Sequence, residues 1–305
     1  MIKFKNILLL ALLSVMVYSC GDNGVNPLVD NFDHAGQAVI DNDSIVNFLK
    51  LHYYEETSES IEPWVTGKTT LYDDPNLKIQ DIKETINDVE IDYKLYTYIS
   101  AVGGSPKGNP SVVDSVLVDY SGRKVLNSKE LSAVTFDSNV NTWFVLGKGS
   151  VIDGWTYGIP NLIGGVLPES PDPNEPISFT NSGKAFLFMP SGLAYRNIGN
   201  GAVFANEILM FSVELKDVIL GTDLDADGVA SIDEDLDGDG LPWNDDTDGD
   251  NLANYLDIDD DGDTVPTLFE DADKDGNPAN DFNDPNKPDV PDYLNIDVRN
   301  SNQDD

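Results

Sequence analysis

Five separate segments between Ile91 and Val218 have the residue pattern of strands, and the first of them alternates apolar and polar positions. These segments are rich in β-branched and aromatic residues, as half-buried strands are, and they comprise residues 93–99, 115–120, 142–146, 184–188 and 209–215. Residues 152–163, between the third and fourth segments, are the one candidate helix of this region. The pattern predicts an α+β fold in which an antiparallel sheet wraps one short helix.

The chain before this region is less regular. Residues 21–43 are rich in Asn, Asp and Gly without apolar periodicity, which is typical of a flexible tether. Apolar residues at Ile45, Phe48 and Leu49 then follow helical spacing after Asp43, a suitable N-cap, and indicate one short amphipathic helix. Residues 55–90 show no clear pattern. We therefore divide the chain into a leader (1–20), a tether with a short helical region (21–90), a β-rich domain (91–220) and an acidic segment (221–305).

The N-terminus has the features of an export signal. Lys3 and Lys5 precede an apolar run over residues 7–17, which is too short to cross a bilayer and fits a secretory signal peptide. Cys20 follows in a context that resembles a bacterial lipobox, in which the lipidated thiol anchors the mature protein to a membrane. The resemblance implies an outer-membrane lipoprotein of the cell envelope. An ordinary secretion signal with an incidental cysteine is the alternative.

The formal charge of −37 is unevenly distributed along the chain. Residues 221–305 contain 28 of the 55 acidic residues and three basic ones, which are Lys274, Lys287 and Arg299. Because phosphate backbones require a basic surface, we exclude nucleic acid as a partner. Cys20 is the single cysteine, so no intrachain disulfide can form. Stability must therefore come from the apolar core or from bound ions.

Several motifs of the β-rich domain occur in a fixed order. They are residues 118–122 (VDYSG), 136–138 (FDS), 145–147 (VLG), 151–155 (VIDGW) and 189–195 (MPSGLAY). With this order the region resembles FKBP-type peptidyl-prolyl cis-trans isomerases, although Arg196 stands where that family often has glycine. The resemblance implies an enzyme that isomerises X-Pro bonds in proline-containing protein clients outside the cytoplasm, as a folding catalyst or chaperone, and needs no cofactor for catalysis.

The same resemblance implies a site. Trp155 would be the floor on which the proline ring rests, and the polar groups at the rim would be Asp137 and Tyr195. The walls would be Tyr120, Phe136, Val151, Ile152 and Phe211. Isomerisation breaks no covalent bond, so a dry cavity and a fixed hydrogen-bond donor suffice as catalytic groups.

Two simpler interpretations remain open. Aromatic residues at strand positions are often ordinary core residues. The protein could also be a noncatalytic binding or adhesive lipoprotein, which holds a proline-containing partner and uses the acidic segment as a calcium-stiffened stalk.

From Asp223 onward the chain repeats the pattern Asp-x-Asp-x-Asp, mostly followed by Gly. Alternate carboxylates of a short loop can converge on one hard cation, and an acidic twelfth residue can close the loop, as in EF-hand calcium loops. The repeats resemble thrombospondin type 3 calcium repeats and predict structural calcium. The candidate ligands are Asp223, Asp225, Asp227, Glu234, Asp235, Asp237, Asp239, Asp246, Asp248, Asp250, Asp257, Asp259, Asp261, Asp263, Glu270, Asp271, Asp273 and Asp275.

The fourth loop has two possible registers. It begins either at Asp257, with Gly262 in the glycine position, or at Asp259, with Glu270 as the twelfth residue. A further repeat relates residues 254–259 (NYLDID) to residues 292–297 (DYLNID). A solvated, disordered acidic tail is the alternative. With so few apolar residues, we expect the segment to unfold without its ions. Magnesium is less suitable because it demands tighter octahedral geometry.

Overall fold

The structure is a computed structural model that describes residues 30–168, 177–299 and 301. The predicted signal peptide, Cys20, the first part of the tether and the last residues of the acidic segment lie outside the described residues. Contacts divide the chain into two units, Met1–Asp33 and His34–Asp305. The second unit contains all the helices and strands below.

The described residues contain two α-helices, nine strands and a series of short 3-10 helices. The α-helices are α1 (His34–Lys50) and α2 (Asp153–Gly158). The strands are β1 (His52–Glu55), β2 (Ser60–Pro63), β3 (Leu77–Ile86), β4 (Val89–Ala101), β5 (Ser115–Leu126), β6 (Glu130–Leu131), β7 (Asp137–Val145), β8 (Gly183–Met189) and β9 (Leu209–Ile219). The 3-10 helices are Leu71–Asp73, Ile159–Asn161, Ser191–Leu193, Pro242–Asn244, Asn254–Leu256, Thr267–Phe269, Pro278–Asn280 and Asp292–Leu294.

The main sheet has seven strands, and all of their pairings are antiparallel. Its order is β3-β4-β8-β9-β5-β6, and β7 pairs with β5. Strands β1 and β2 form a separate antiparallel pair. The predicted α+β fold with an antiparallel sheet is confirmed.

Both faces of this sheet are covered. Leu187 of β8 belongs to the cluster that contains Trp155 of α2, whereas Phe186 and Phe188 belong to the cluster that contains Phe48 of α1. Successive side chains of a strand point to opposite faces. A strand buried on both faces is therefore hydrophobic along its buried length, as β8 is from Ala185 to Met189. The helix predicted in the N-terminal region corresponds to α1, which packs on the face opposite α2.

The N-terminal region is more regular than predicted. Helix α1 begins at His34, within the segment expected to be a tether, and not after Asp43. Strand β3 lies in the region predicted to be irregular and pairs with β4 from Leu77 to Ile86. The two strands meet at Asn87 and Asp88, whose φ angles are 51° and 61°. Asn and Asp tolerate this left-handed conformation, which tight hairpin turns require. The sheet therefore begins before residue 91.

The acidic segment contacts the sheet domain through Thr222, whose backbone N–H donates to Asp114, and through two apolar residues farther along. Leu241 and Trp243 contact the hydrophobic cluster of α2, and the ring of Trp243 lies 6.0 Å from that of Tyr157, edge to face. Within the described residues, no helix has the length and apolar character needed to cross a membrane.

Candidate functional site

A cavity of about 580 Å³ lies beside α2, within the size range of ligand sites. Its walls come from β5, β7, β9, α2, the loop before α2 and the segment that follows the 3-10 helix Ser191–Leu193. The lining residues are Tyr120, Asp137, Phe144, Lys148, Gly149, Ser150, Val151, Ile152, Asp153, Trp155, Ala194, Tyr195, Arg196 and Phe211.

Trp155 stands at the centre of an aromatic cage. Its ring centroid lies 4.9 Å from that of Tyr120 and 5.3 Å from those of Phe144 and Phe211, and all three contacts are edge to face. Such packing holds each ring in place. Gly154 allows α2 to lie this close to the sheet, since a Cβ there would come within 2.6 Å of the Met189 sulfur. The result is an apolar aromatic surface that faces the cavity.

Seven of the eight residues predicted for the catalytic site line this one cavity. They are Tyr120, Asp137, Val151, Ile152, Trp155, Tyr195 and Phe211. The eighth, Phe136, is not among the lining residues. Its ring packs edge to face on Phe211 at 5.5 Å and supports that wall from outside. The catalytic roles of all eight residues stay predictions.

The polar rim holds two protonated tyrosines. Tyr120 donates its hydroxyl proton to Oδ2 of Asp137 at 3.0 Å. Burial, followed by this hydrogen bond, raises the pKa of Tyr120 to about 12. Burial and the nearby charge of Asp137 also raise the pKa of Tyr195. Both hydroxyls therefore stay protonated at neutral pH, and the single proton of Tyr120 is donated to Asp137.

A charged cluster on the rim was missed by the sequence analysis. The carboxylate of Asp153 lies 3.5 Å from Lys148 Nζ and 3.6 Å from a guanidinium nitrogen of Arg196. Lys148 also forms an ion pair with the buried Glu84, which accepts a hydrogen bond from Tyr157 at 3.1 Å. Burial, and then the charge of Glu84, raises the pKa of Asp153. These residues come from separate elements, and no sequence pattern connects them.

Phe144 was also missed, although strand alternation carried a partial signal. Trp143 and Phe144 are adjacent, so only one of them can face the cavity. Trp143 is 46% exposed, and Phe144 packs on Tyr120 and Trp155. The sequence alone did not say which of the two faced inward.

Arg196 adopts a φ of 53°, in the left-handed region that favours glycine. Glycine adopts this conformation without strain, in agreement with its frequent use at this position in the family that the sequence resembles. In this chain the residue contributes its guanidinium to the charged rim instead.

The described part of the acidic segment contains five loops of the same backbone form. In each loop the first Asp accepts a hydrogen bond from the backbone N–H five residues later. These bonds are Gly228 to Asp223 (3.1 Å), Gly240 to Asp235 (2.7 Å), Asn251 to Asp246 (3.0 Å), Thr264 to Asp259 (3.1 Å) and Gly276 to Asp271 (2.8 Å). The donor residue has a positive φ in all five loops. Of the two registers considered for the fourth loop, the structure has the one that starts at Asp259.

The predicted ligands converge loop by loop. In each of four loops, three carboxylate oxygens lie within 4.8 Å of one another. The four groups are Asp223, Asp225 and Asp227; Asp235, Asp237 and Asp239; Asp246, Asp248 and Asp250; and Asp259, Asp261 and Asp263. Asp257 does not share the group of the fourth loop. Glu234 joins Asp227 in a further group whose third member, Asp260, was not predicted.

Several carboxylates of these loops are buried. Glu234, Asp263 and Glu270 are fully buried, and burial raises the pKa of Glu234 to about 10 and that of Glu270 to about 9. Both oxygens of each glutamate have no hydrogen-bond partner among the described residues. This donor set of convergent carboxylate oxygens fits a hard cation. Calcium binding itself stays a prediction.

An antiparallel sheet with an aromatic cavity beside one short helix defines an α+β domain that can enclose a small apolar ring. The family described as FKBP-type peptidyl-prolyl cis-trans isomerase matches residues 107–216. These residues form a domain of that family, and the class of enzyme predicted from the sequence is confirmed.

Two solved structures are similar to part of the chain. A peptidyl-prolyl cis-trans isomerase from Pseudomonas syringae pv. tomato is 20% identical, with a TM-score of 0.35, over 60% of this chain and 93% of its own. FkpA from Escherichia coli is 29% identical, with a TM-score of 0.30, over 41% of this chain and 47% of its own. A comparison with curated proteins gives no match.

Proposed function

We propose that this protein isomerises X-Pro bonds of protein clients outside the cytoplasm, as a lipid-anchored folding catalyst. The observation that carries the proposal is the aromatic cavity around Trp155, which lies inside the FKBP-type domain.

The cavity suits this reaction because no covalent bond is broken. Amide resonance opposes rotation with a barrier of about 18–20 kcal/mol. The planar amide is the more charge-separated form, so an apolar site that removes water from it favours the twisted amide. In this proposal the proline ring rests on Trp155 and the preceding carbonyl lies near the rim, where Tyr195 offers a protonated hydroxyl. A donor that binds the carbonyl more strongly in the twisted geometry lowers the barrier.

The activity can be tested with a short X-Pro peptide in an isomerisation assay, with calcium and then with a chelator. Trp155→Leu should abolish the acceleration by the full chain. Trp64→Leu is the matched control, since Trp64 is 44% exposed and lies outside the cavity lining. Wild-type protein that gives no acceleration, or a Trp155→Leu variant that keeps the rate, would overturn the proposed catalysis.

The same assay separates an enzyme from a binding protein. At a large excess of peptide, a catalyst turns over many substrate molecules. A noncatalytic protein saturates and leaves the rate of isomerisation unchanged.

The lysines, the apolar run and the position of Cys20 support export and lipidation. In this proposal an acyl group on Cys20 holds the isomerase at the outer membrane of the cell envelope. Incorporation of labelled palmitate into wild-type protein, and its loss in Cys20→Ser, would support the anchor. Equal labelling of the two proteins would contradict it.

Calcium in the acidic segment is the third part of the proposal. The supporting observation is the burial of carboxylate oxygens that have no partner among the described residues. Because burying unpaired carboxylates is strongly unfavourable, a bound cation would stabilise the folded loops. Calorimetric titration of the calcium-free full chain with CaCl₂ should show several binding events, and a flat titration would exclude them.

A further inference from the structure

Asp260 is an acidic residue at a loop position where the other four loops have no acidic residue. It is the second residue of the loop that starts at Asp259. The equivalent residues of the other four loops are Leu224, Leu236, Thr247 and Ala272. In EF-hand loops the second position does not supply a ligand. We therefore expect Asp260 not to be a cation ligand of its own loop.

The carboxylate of Asp260 lies instead at the end of the first loop. One oxygen each of Asp260, Asp227 and Glu234 lie within 4.8 Å of one another. The exposed fractions of these residues are 1%, 1% and 0%. The group therefore joins two loops that are far apart in the sequence, in a position that water does not reach.

Hydrogen bonds orient these carboxylates and leave one set of oxygens without partners. Thr267 donates its hydroxyl to Oδ2 of Asp260 at 2.8 Å, and the backbone N–H of Val229 donates to Oδ1 of Asp227 at 2.8 Å. Six carboxylate oxygens then have no hydrogen-bond partner among the described residues: Asp225 Oδ1 and Oδ2, Asp227 Oδ2, Glu234 Oε1 and Oε2, and Asp260 Oδ1.

No lysine or arginine of the described chain forms an ion pair with these four residues. Burial of several carboxylates without a cation is strongly unfavourable. Calcium accepts about six to eight oxygen ligands in flexible geometry, which matches the number and type of the free oxygens.

We propose that Asp260 completes a calcium site of the first loop, so that one ion held by Asp225, Asp227, Glu234 and Asp260 ties the first loop to the fourth. This inference rests on the proposed calcium binding and deepens it. Contacts near the site agree with a closed arrangement, since a Cβ on Gly228 would lie 3.1 Å from Pro278 and 3.6 Å from Leu268. The acidic segment then folds as one unit around the shared ion.

The inference is tested by calorimetric titration of the calcium-free full chain with CaCl₂. Asp260→Asn should weaken one site by at least about tenfold, because calcium affinity depends on the number of charged ligands. Asp233→Asn is the matched control, since it removes an exposed charge next to Glu234 and should leave the titration unchanged. If wild type binds calcium and Asp260→Asn binds it with the same number and affinity, the inference is overturned while the calcium proposal stands. If wild type binds none, both are overturned.

Thermal melting gives a second readout that a folding defect would not imitate. Without calcium, Asp260→Asn should melt at a higher temperature than wild type, because a buried unpaired charge is removed. With calcium, the order should reverse, because a ligand is lost. An equal drop in melting temperature under both conditions would show a structural role only and overturn the inference. Thr267→Val, which removes the hydroxyl that orients Asp260, should weaken the same site less while keeping the number of sites.

Discussion

Asp41 of α1 should control the stability of the rim of the cavity, although it lies outside the match to the isomerase family. Its carboxylate is 1% exposed and accepts hydrogen bonds from the backbone N–H and the hydroxyl of Ser191, at 2.7 and 2.6 Å. Gln37 donates a third bond at 2.6 Å. Ser191 opens the 3-10 helix that leads to Tyr195, so α1 positions the rim from the opposite face of the sheet.

The expected loss of stability in Asp41→Ala follows from the two donors of Ser191 that this variant would leave without an acceptor. Ser191 is 2% exposed, so its N–H and hydroxyl have no access to bulk water. An unsatisfied buried donor costs about 1–3 kcal/mol, and the hydroxyl can rotate toward another acceptor. We therefore expect a loss of about 2–4 kcal/mol in the free energy of unfolding. Ser191→Ala removes one of the two bonds and should cost about 1 kcal/mol.

Urea unfolding of the full chain with calcium, followed by tryptophan fluorescence, measures these losses. The double variant should lose less than the sum of the single variants, because both remove the same hydrogen bond. A loss below about 0.5 kcal/mol for Asp41→Ala, or additive losses, would refute the reasoning.

Three further outcomes are expected. Tyr195→Phe removes a rim donor and should lower kcat/KM about 3- to 10-fold without changing stability. The control is Tyr72→Phe, outside the cavity lining, which should have no effect in the peptide assay. Trp243→Ala removes the edge-to-face contact with Tyr157 and should lower the free energy of unfolding, measured with urea, by about 1–3 kcal/mol. An unchanged midpoint of urea unfolding would show that the acidic segment does not support the isomerase domain. Burial raises the pKa of Asp41, so the native state binds its proton more tightly than the unfolded chain. The stability from that proton is complete below the unfolded pKa and is lost as the pH rises through the folded pKa. Wild type should therefore gain stability relative to Asp41→Asn as the pH falls from 7 toward 4. A difference in the free energy of unfolding between the two proteins that stays constant with pH would contradict this.

The sheet and the aromatic cavity could be predicted from the sequence because both are encoded in local patterns. Apolar, aromatic-rich runs mark strands such as β8, and the ordered motifs placed Trp155 and Tyr195 in one site. Helix α1 was predicted too short, because Asp41 lies in a polar stretch that was assigned to the tether and Asp43 was assigned to the N-cap. The burial of Asp41 depends on Ser191, which is 150 residues away in the sequence.

The charged rim illustrates the same limit. No sequence pattern connects Lys148, Asp153 and Arg196, and only the packing of α2 against the segment after β8 brings their charges together. Phe136 shows the opposite case, because its motif was recognised but its ring supports the cavity wall from behind.

In the acidic segment, the sequence by itself determined the spacing of the aspartates and therefore the loops in which they converge. The tertiary structure decided the register of the fourth loop, the contact of Trp243 with Tyr157 and the placement of Asp260 at the first loop. Periodicity reports the conformation of residues that are neighbours along the chain. Burial of a charge depends instead on groups that folding brings from distant segments, so it could be read only from the folded molecule.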